Sequence, residues 1–323
     1  MKIGFHASHE QFTPRHLLEL VQEAEQAGFN AVLSSDHFHP WSNRQGESGF
    51  AWSWLGAAMS ATNLEYGIVN APGQRYHPAI IAQAAATLDQ MFPGRFWLCQ
   101  GSGQAINENI TGDKWPSKEV RNARLKESVE IIRELWKGDY VTRHGIINIE
   151  NAKLFTPPET IPTIYGAAIT EKTASWLSAW ADGMITISKP LEDLEKMVEA
   201  FRQNDKNTKK PLALKVQISY APNEDDALKG AWDQWKNNIF PSKLLADINT
   251  AEQFDALGDK VRKEDIKEHV IIGSQADVFI GKINEFAQLG FEKIIIHNVN
   301  RDQENFIEFF GKEVLPQVKL KSN

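Results

Sequence analysis

Cysteine is almost absent from this chain of 323 residues: Cys99 is the only one. A lone thiol excludes an intrachain disulfide and any site built from several cysteine ligands, and it suits a reducing compartment, so a cytoplasmic setting is expected. Long apolar runs are missing too. None approaches the roughly 18 residues of a membrane span, and Met1-Lys2-Ile3-Gly4-Phe5 lacks the layout of a secretion signal. Basic charge is the third scarcity, since 35 Lys and Arg face 42 Asp and Glu for a formal net charge of −7. With no basic block to neutralise a phosphate backbone, neither nucleic acid nor membrane is an expected partner, whereas a small-molecule substrate and a local basic pocket for a small phosphate remain admissible. Repeats, low-complexity tracts and Pro/Gly/Ser linkers are also lacking, so residues 1–323 are expected to form one domain.

What is present is a regular alternation. Short apolar runs at 2–7, 31–35, 66–70, 96–100, 162–167, 185–187, 214–220 and 292–297 are bounded by turn residues. Between them lie amphipathic stretches at 51–60, 79–91, 118–137, 171–181 and 191–204, and a further one after Thr13-Pro14 that ends at Gly28. A Thr cap followed by Pro at the first helical position and Gly past the end is the expected punctuation of a helix. Eight strands, joined mostly through helices, predict an α/β fold of the closed (β/α)8 TIM-barrel type. Two stretches exceed simple connections, about 138–161 after strand four and 222–268 after strand seven, and read as insertions. The final residues, 320–323, are expected to fray.

In such a barrel the active site lies at the carboxyl ends of the strands. That rule selects His6, His9 and Glu10 after strand one, then Asp36, His37, His39 and Trp41 after strand two. Asn70 follows strand three, and Ser102, Gln104, Asn107 and Glu108 follow strand four. Asp36-His37 pairs a carboxylate with an imidazole that titrates near neutrality, which suits proton transfer; a structural cap and a packed ring are the alternative. No His-x3-His and no Cys/His ladder appears, so no metal site is expected. Gly101-Ser102-Gly103 resembles a backbone cradle for a planar or phosphorylated ligand, and Gly166-Ala167-Ala168 before a helix is a second. Lys189, Lys267 and Arg301 are cations on the same rim that could hold an acidic substrate group.

Several runs together resemble the deazaflavin-dependent glucose-6-phosphate dehydrogenases of the luciferase-like superfamily: Ser35-Asp-His-Phe-His-Pro-Trp41, Arg75-Tyr-His-Pro-Ala-Ile-Ile-Ala-Gln83, Ala86 to Arg95, Gly101-Ser-Gly-Gln-Ala-Ile-Asn-Glu108, and His297 with Asp302-Gln303. The resemblance implies a flavin or deazaflavin ring, FMN or the 8-hydroxy-5-deazaflavin coenzyme F420, stacked at the barrel mouth of a homodimer. It implies that His37, Trp41 and Glu10 line the reacting face and that Asp36, Ser102, Gly103, Asn107, Gly166, Ala167 and Ala168 contact the ring cofactor. A cis peptide behind the ring would fall at Ile68-Val69, and Lys189 and Lys267, with Arg301 on the same rim, would bind substrate. Two positions depart from the pattern. Where the family has a catalytic glutamate this chain has Gln104, and an amide cannot exchange a proton as a carboxyl does. Ile187 stands where the family's phosphate pocket has threonine. Hydride exchange with a small organic substrate other than glucose 6-phosphate is therefore the first expectation. An FMN monooxygenase fed by a partner flavin reductase is the second, and a silent flavin-binding barrel the third.

Overall fold

A computed structural model describes residues 1–203 and 210–318. The expected helix end at 204 and the expected fraying of 320–323 lie outside them. Its strands are β1 (Lys2–Ala7), β2 (Ala31–Ser35), β3 (Glu65–Asn70), β4 (Phe96–Gln100), β5 (Val141–His144), β6 (Asn148–Ala152), β7 (Ile164–Ala167), β8 (Gly183–Ile187), β9 (Leu212–Tyr220), β10 (Ile271–Gly273) and β11 (Lys293–Asn298). Parallel ladders run β1-β2-β3-β4-β7-β8-β9-β11 and return to β1, closing an eight-stranded barrel with helices outside it. This is the architecture that the alternation predicts. The insertion after strand four contains the antiparallel hairpin β5–β6. In the second insertion short helices dominate, among them Glu224–Trp235 and Ala251–Gly258. The strand β10, not anticipated from the alternation, pairs with the far end of β9 at Ile218–Tyr220, where β9 has outrun β11.

Strand alternation sorts the barrel interior into three levels. At the amino end Glu65 pairs with Lys2 and, at 3.3 Å, with Lys293, whose Nζ donates to the Tyr165 hydroxyl at 3.0 Å. Above these charges sits an apolar plug of Leu33, Trp97, Cys99, Tyr165, Ile185, Ala213 and Ile295, rimmed by Val69 and Ala167. Burial pushes the Cys99 thiol up, so it stays a neutral packing group. The carboxyl end is polar and carries His6, Ser35, Lys215, Gln217 and His297.

Trp97 fits this narrow interior because its neighbour on β3 is glycine. A Cβ at Gly67 would lie 2.1 Å from Cε2 of Trp97, inside van der Waals contact with a ring that cannot bend away. One expectation fails here: no cis peptide occurs among the described residues. Ile68 and Val69 keep unbroken parallel pairing to Ser34 and Ser35 on one side and to Leu98 and Cys99 on the other, which a trans chain satisfies. Gly67→Ala should destabilise the barrel by about 1–3 kcal/mol through overpacking against Trp97. Urea unfolding followed by tryptophan fluorescence measures this, and an unchanged midpoint would mean that the plug tolerates the methyl group.

Candidate active site

A cavity of about 190 Å³ opens at the carboxyl ends of the strands, and Glu10, His37, Trp41 and Gln104 all line it. Its roof comes from the insertion at 222–268. Trp41 packs edge-on against Phe254 at 5.2 Å, within a small apolar cluster that includes Ile106 and Ile248, and the amide of Ala105 donates to the carbonyl of Ala246. Trp235, Asn238, Leu245 and His269 complete the lining on that side.

The centre of the site is a buried carboxylate–imidazole pair. Glu10, on the turn after β1, is 2% exposed, and its Oε1 faces Nδ1 of His37. Its other oxygen accepts hydrogen bonds from the hydroxyls of Ser8 at 2.9 Å and Ser35 at 3.0 Å. Burial alone would push the Glu10 carboxyl up. The His37 charge and hydrogen bond, then His6 and the Ser35 hydroxyl, outweigh it and hold Glu10 well below the usual carboxylate range. A carboxylate fixed in this way orients the imidazole and leaves Nε2 of His37 as the nitrogen Glu10 does not engage. The ring of Trp41 stands edge-on to His37 at 4.8 Å. His39, two residues on, turns away and bonds the carbonyl of Ile106 through Nδ1 at 2.8 Å.

Deeper in the cavity, the rings of His6 and His297 lie 4.2 Å apart, and Trp235 meets His297 edge-on at 4.9 Å. Burial, then the charge of Lys215, keeps both histidines well below their ordinary value, so they are neutral at pH 7. Lys215, Gln217, Trp235, Asn238 and His269 line the cavity without being among the residues that position after a strand selects. A signal for the first two exists in Leu212-Ala-Leu-Lys-Val-Gln-Ile-Ser-Tyr220, where polar residues recur at every second position of an otherwise apolar strand.

Other expected residues surround the cavity without lining it. Asp36 is buried against the Arg75 guanidinium at 3.4 Å and accepts from the Tyr76 hydroxyl at 3.2 Å. Burial raises the Asp36 carboxyl, partly offset by Arg75. Arg75 also reaches Glu108 at 3.6 Å and so ties the loops after β2 and β4 together. Asn107 accepts from the amides of Phe38 and His39 at 2.9 and 3.2 Å, pinning the His37 loop. The Ser102 hydroxyl accepts from Lys118 at 2.7 Å. Gly103 has φ +80°, a conformation that favours glycine, and marks the turn into Gln104. Ile68 and Ala168 point into the outer core, and a Cβ on Gly166 would strike Leu177 at 2.4 Å, so this glycine serves helix packing. Val69 and Ala167 face the barrel axis.

The expected substrate cations are not brought together. Lys189 donates to the carbonyl of Ile169 at 2.5 Å, Lys267 is exposed, and Arg301 spends its guanidinium on the carbonyls of Arg44 and Gln11, both at 3.0 Å. None of the three lines the cavity. Among the described residues no group of three or more His, Cys, Asp or Glu is arranged to hold a metal ion, and no helix is long and apolar enough to cross a membrane.

A closed barrel with a carboxylate–imidazole pair at its mouth and an aromatic roof is the frame of a small-molecule enzyme. The chain belongs to the luciferase-like monooxygenase family, whose sequence pattern matches residues 1–293, and it is an oxidoreductase of that family. It is 32% identical over its whole length to an F420-dependent glucose-6-phosphate dehydrogenase of Gordonia bronchialis, covering 98% of that protein. The Mycobacterium avium enzyme of the same name is also 32% identical, over 99% of this chain and 98% of its own. Among solved structures, an F420-dependent secondary alcohol dehydrogenase in complex with an F420-acetone adduct superposes with a TM-score of 0.91 at 31% identity, covering 99% of each chain.

Replacing the carboxylate that positions His37 gives a direct check. Glu10→Gln keeps the shape but offers His37 an amide in place of a charge, and kcat should fall by about 10²–10⁴-fold with the fold intact by circular dichroism. Wild-type turnover in this variant would remove the Glu10–His37 pair from the working site.

Proposed function

We propose that this chain exchanges a hydride between a small hydroxyl or carbonyl substrate and a ring cofactor, the deazaflavin F420 or FMN, held at the barrel mouth. The observation that carries the reading is the Glu10–His37 pair, set beside Trp41 and Gln104 in a roofed cavity. The site suits a polar, flat ligand. Both ring nitrogens of His297 and Nδ1 of His6 are buried without a partner, and Val69 and Ala167 present small side chains toward the axis. The backbone of the turns near the mouth, Gly101 to Gly103 and Gly166 to Ala168, would hold the cofactor, with Asn107 and Asp36 behind them.

When bound, the ring supplies the hydride acceptor or donor. The protein handles the proton. As an alcohol carbon gives up its hydrogen, His37 takes the hydroxyl proton at the nitrogen not engaged by Glu10, and the ionised Glu10 stabilises the imidazolium that results. In the reverse direction His37 returns that proton to the carbonyl oxygen. Gln104 cannot exchange a proton, so its amide serves as a hydrogen-bonding group that orients the substrate. Trp41, the loop 102–116 and the roof at 222–268 exclude water from the reacting atoms.

A sugar phosphate is not the substrate this geometry favours, because Lys189, Lys267 and Arg301 stand apart from the cavity. We place the chain in the cytoplasm as a homodimer, on the single cysteine and the family resemblance, with the whole barrel and its two insertions working as one domain. Anaerobic mixing of the oxidised holoenzyme with small hydroxyl compounds should bleach the cofactor's visible absorbance. Oxygen uptake with reduced FMN, combined with no anaerobic bleaching by any of them, would replace this reading by the monooxygenase one.

A further inference from the structure

Among the described residues Lys215 is the one Lys or Arg that lines the cavity, and its ammonium makes no ion pair and no hydrogen bond. Its nearest ring partner, Trp235, is 5.9 Å away. The cavity's carboxylate is already occupied, with the oxygens of Glu10 taken up by His37, Ser8 and Ser35. His6 and His297 are neutral, so they add no charge. The Glu10 carboxylate acts on Lys215 through space without touching it, so no group engages the ammonium directly. Burial, opposed by Glu10, lowers its ammonium to about 8, so at pH 7 it is still mostly charged. A buried ammonium with no acceptor in contact is unfavourable unless a ligand brings one.

The count of cations also selects the anion. A phosphate dianion calls for more than one positive group, whereas a carboxylate is matched by a single ammonium and a few neutral donors. Such donors are present. Each neutral imidazole offers one N–H, and the ring nitrogens of His297 and Nδ1 of His6 are unpartnered. Gln217, which accepts from the Ser188 hydroxyl at 3.0 Å, stands on the same strand two residues from Lys215.

We propose that Lys215, flanked by His6 and His297, binds a substrate carboxylate, and that the substrate class is a small hydroxy acid or the corresponding oxo acid. This rests on the hydride-exchange reading above. The reaction is then hydroxy acid plus oxidised ring giving oxo acid plus reduced ring: the carbinol hydrogen leaves as hydride to the ring, and the hydroxyl proton goes to His37.

The test compares lactate and 2- and 3-hydroxybutanoate with 2-propanol and 2-butanol. Two readouts are used on the cofactor-loaded protein: calorimetric binding and anaerobic bleaching. Wild type should bind at least one hydroxy acid roughly 10²-fold more tightly than the alcohol lacking the carboxylate. Lys215→Met should abolish that preference, and Lys215→Arg should restore part of it. Circular dichroism establishes folding, and Lys215→Gln stands in should the Met variant misfold. Equal binding of acids and alcohols, or a preference that survives in Lys215→Met, overturns the proposal. Lys215-dependent binding of hydroxy acids without bleaching would uphold the carboxylate site and sink the hydride reading instead.

Discussion

A carboxylate buried at the top of a barrel has to be surrounded by donors, and the mouth of this protein is organised around meeting that need for Glu10. Ser8 comes from the same turn, Ser35 from the end of β2, and His37 from the loop beyond it. The first two strands are thereby locked at their carboxyl ends. The loop carrying His37 is held again from outside, where Ser48 donates to its carbonyl at 2.8 Å and Asn107 receives the amides of Phe38 and His39. Asp36, between Ser35 and His37, turns the other way to Arg75, and through it to Glu108 on the loop after β4. Removing Glu10 would leave His37 without its fixed orientation and these loops without a common centre.

The plug beneath the mouth makes such a polar arrangement possible. Trp97 and Tyr165, 4.7 Å apart, fill the barrel interior and separate the charged floor at Glu65 from the reactive end. Charges at both ends of a narrow barrel are tolerable because each set has its own partners, except at Lys215. That ammonium, with no group in contact, is where the site expects something from outside.

Much of this was legible in the sequence. The spans of β1, β2 and β4 match the apolar runs residue for residue, because each is bounded by turn residues and reads without competition from helical spacing. Glu10, His37, Trp41 and Gln104 were found because they directly follow such strands or lie in runs shared with the family. Lys189, Lys267 and Arg301 satisfy the same position rule, yet position on the rim does not fix where a long flexible side chain ends. Arg301 illustrates this, since two backbone carbonyls claim it and it covers the ring of Phe12. Trp235 and His269 were invisible because they lie in or directly after an insertion whose fold over the mouth follows from tertiary packing and leaves no period in the sequence.

The central claim, that this mouth is built to hold a flavin-type ring, is tested most directly by native mass spectrometry of the purified chain mixed with equal amounts of the deazaflavin coenzyme and FMN. A complex of one cofactor per chain with at least one of the two is the expected result. A spectrum in which neither ring binds, from protein that circular dichroism shows to be folded, would contradict it.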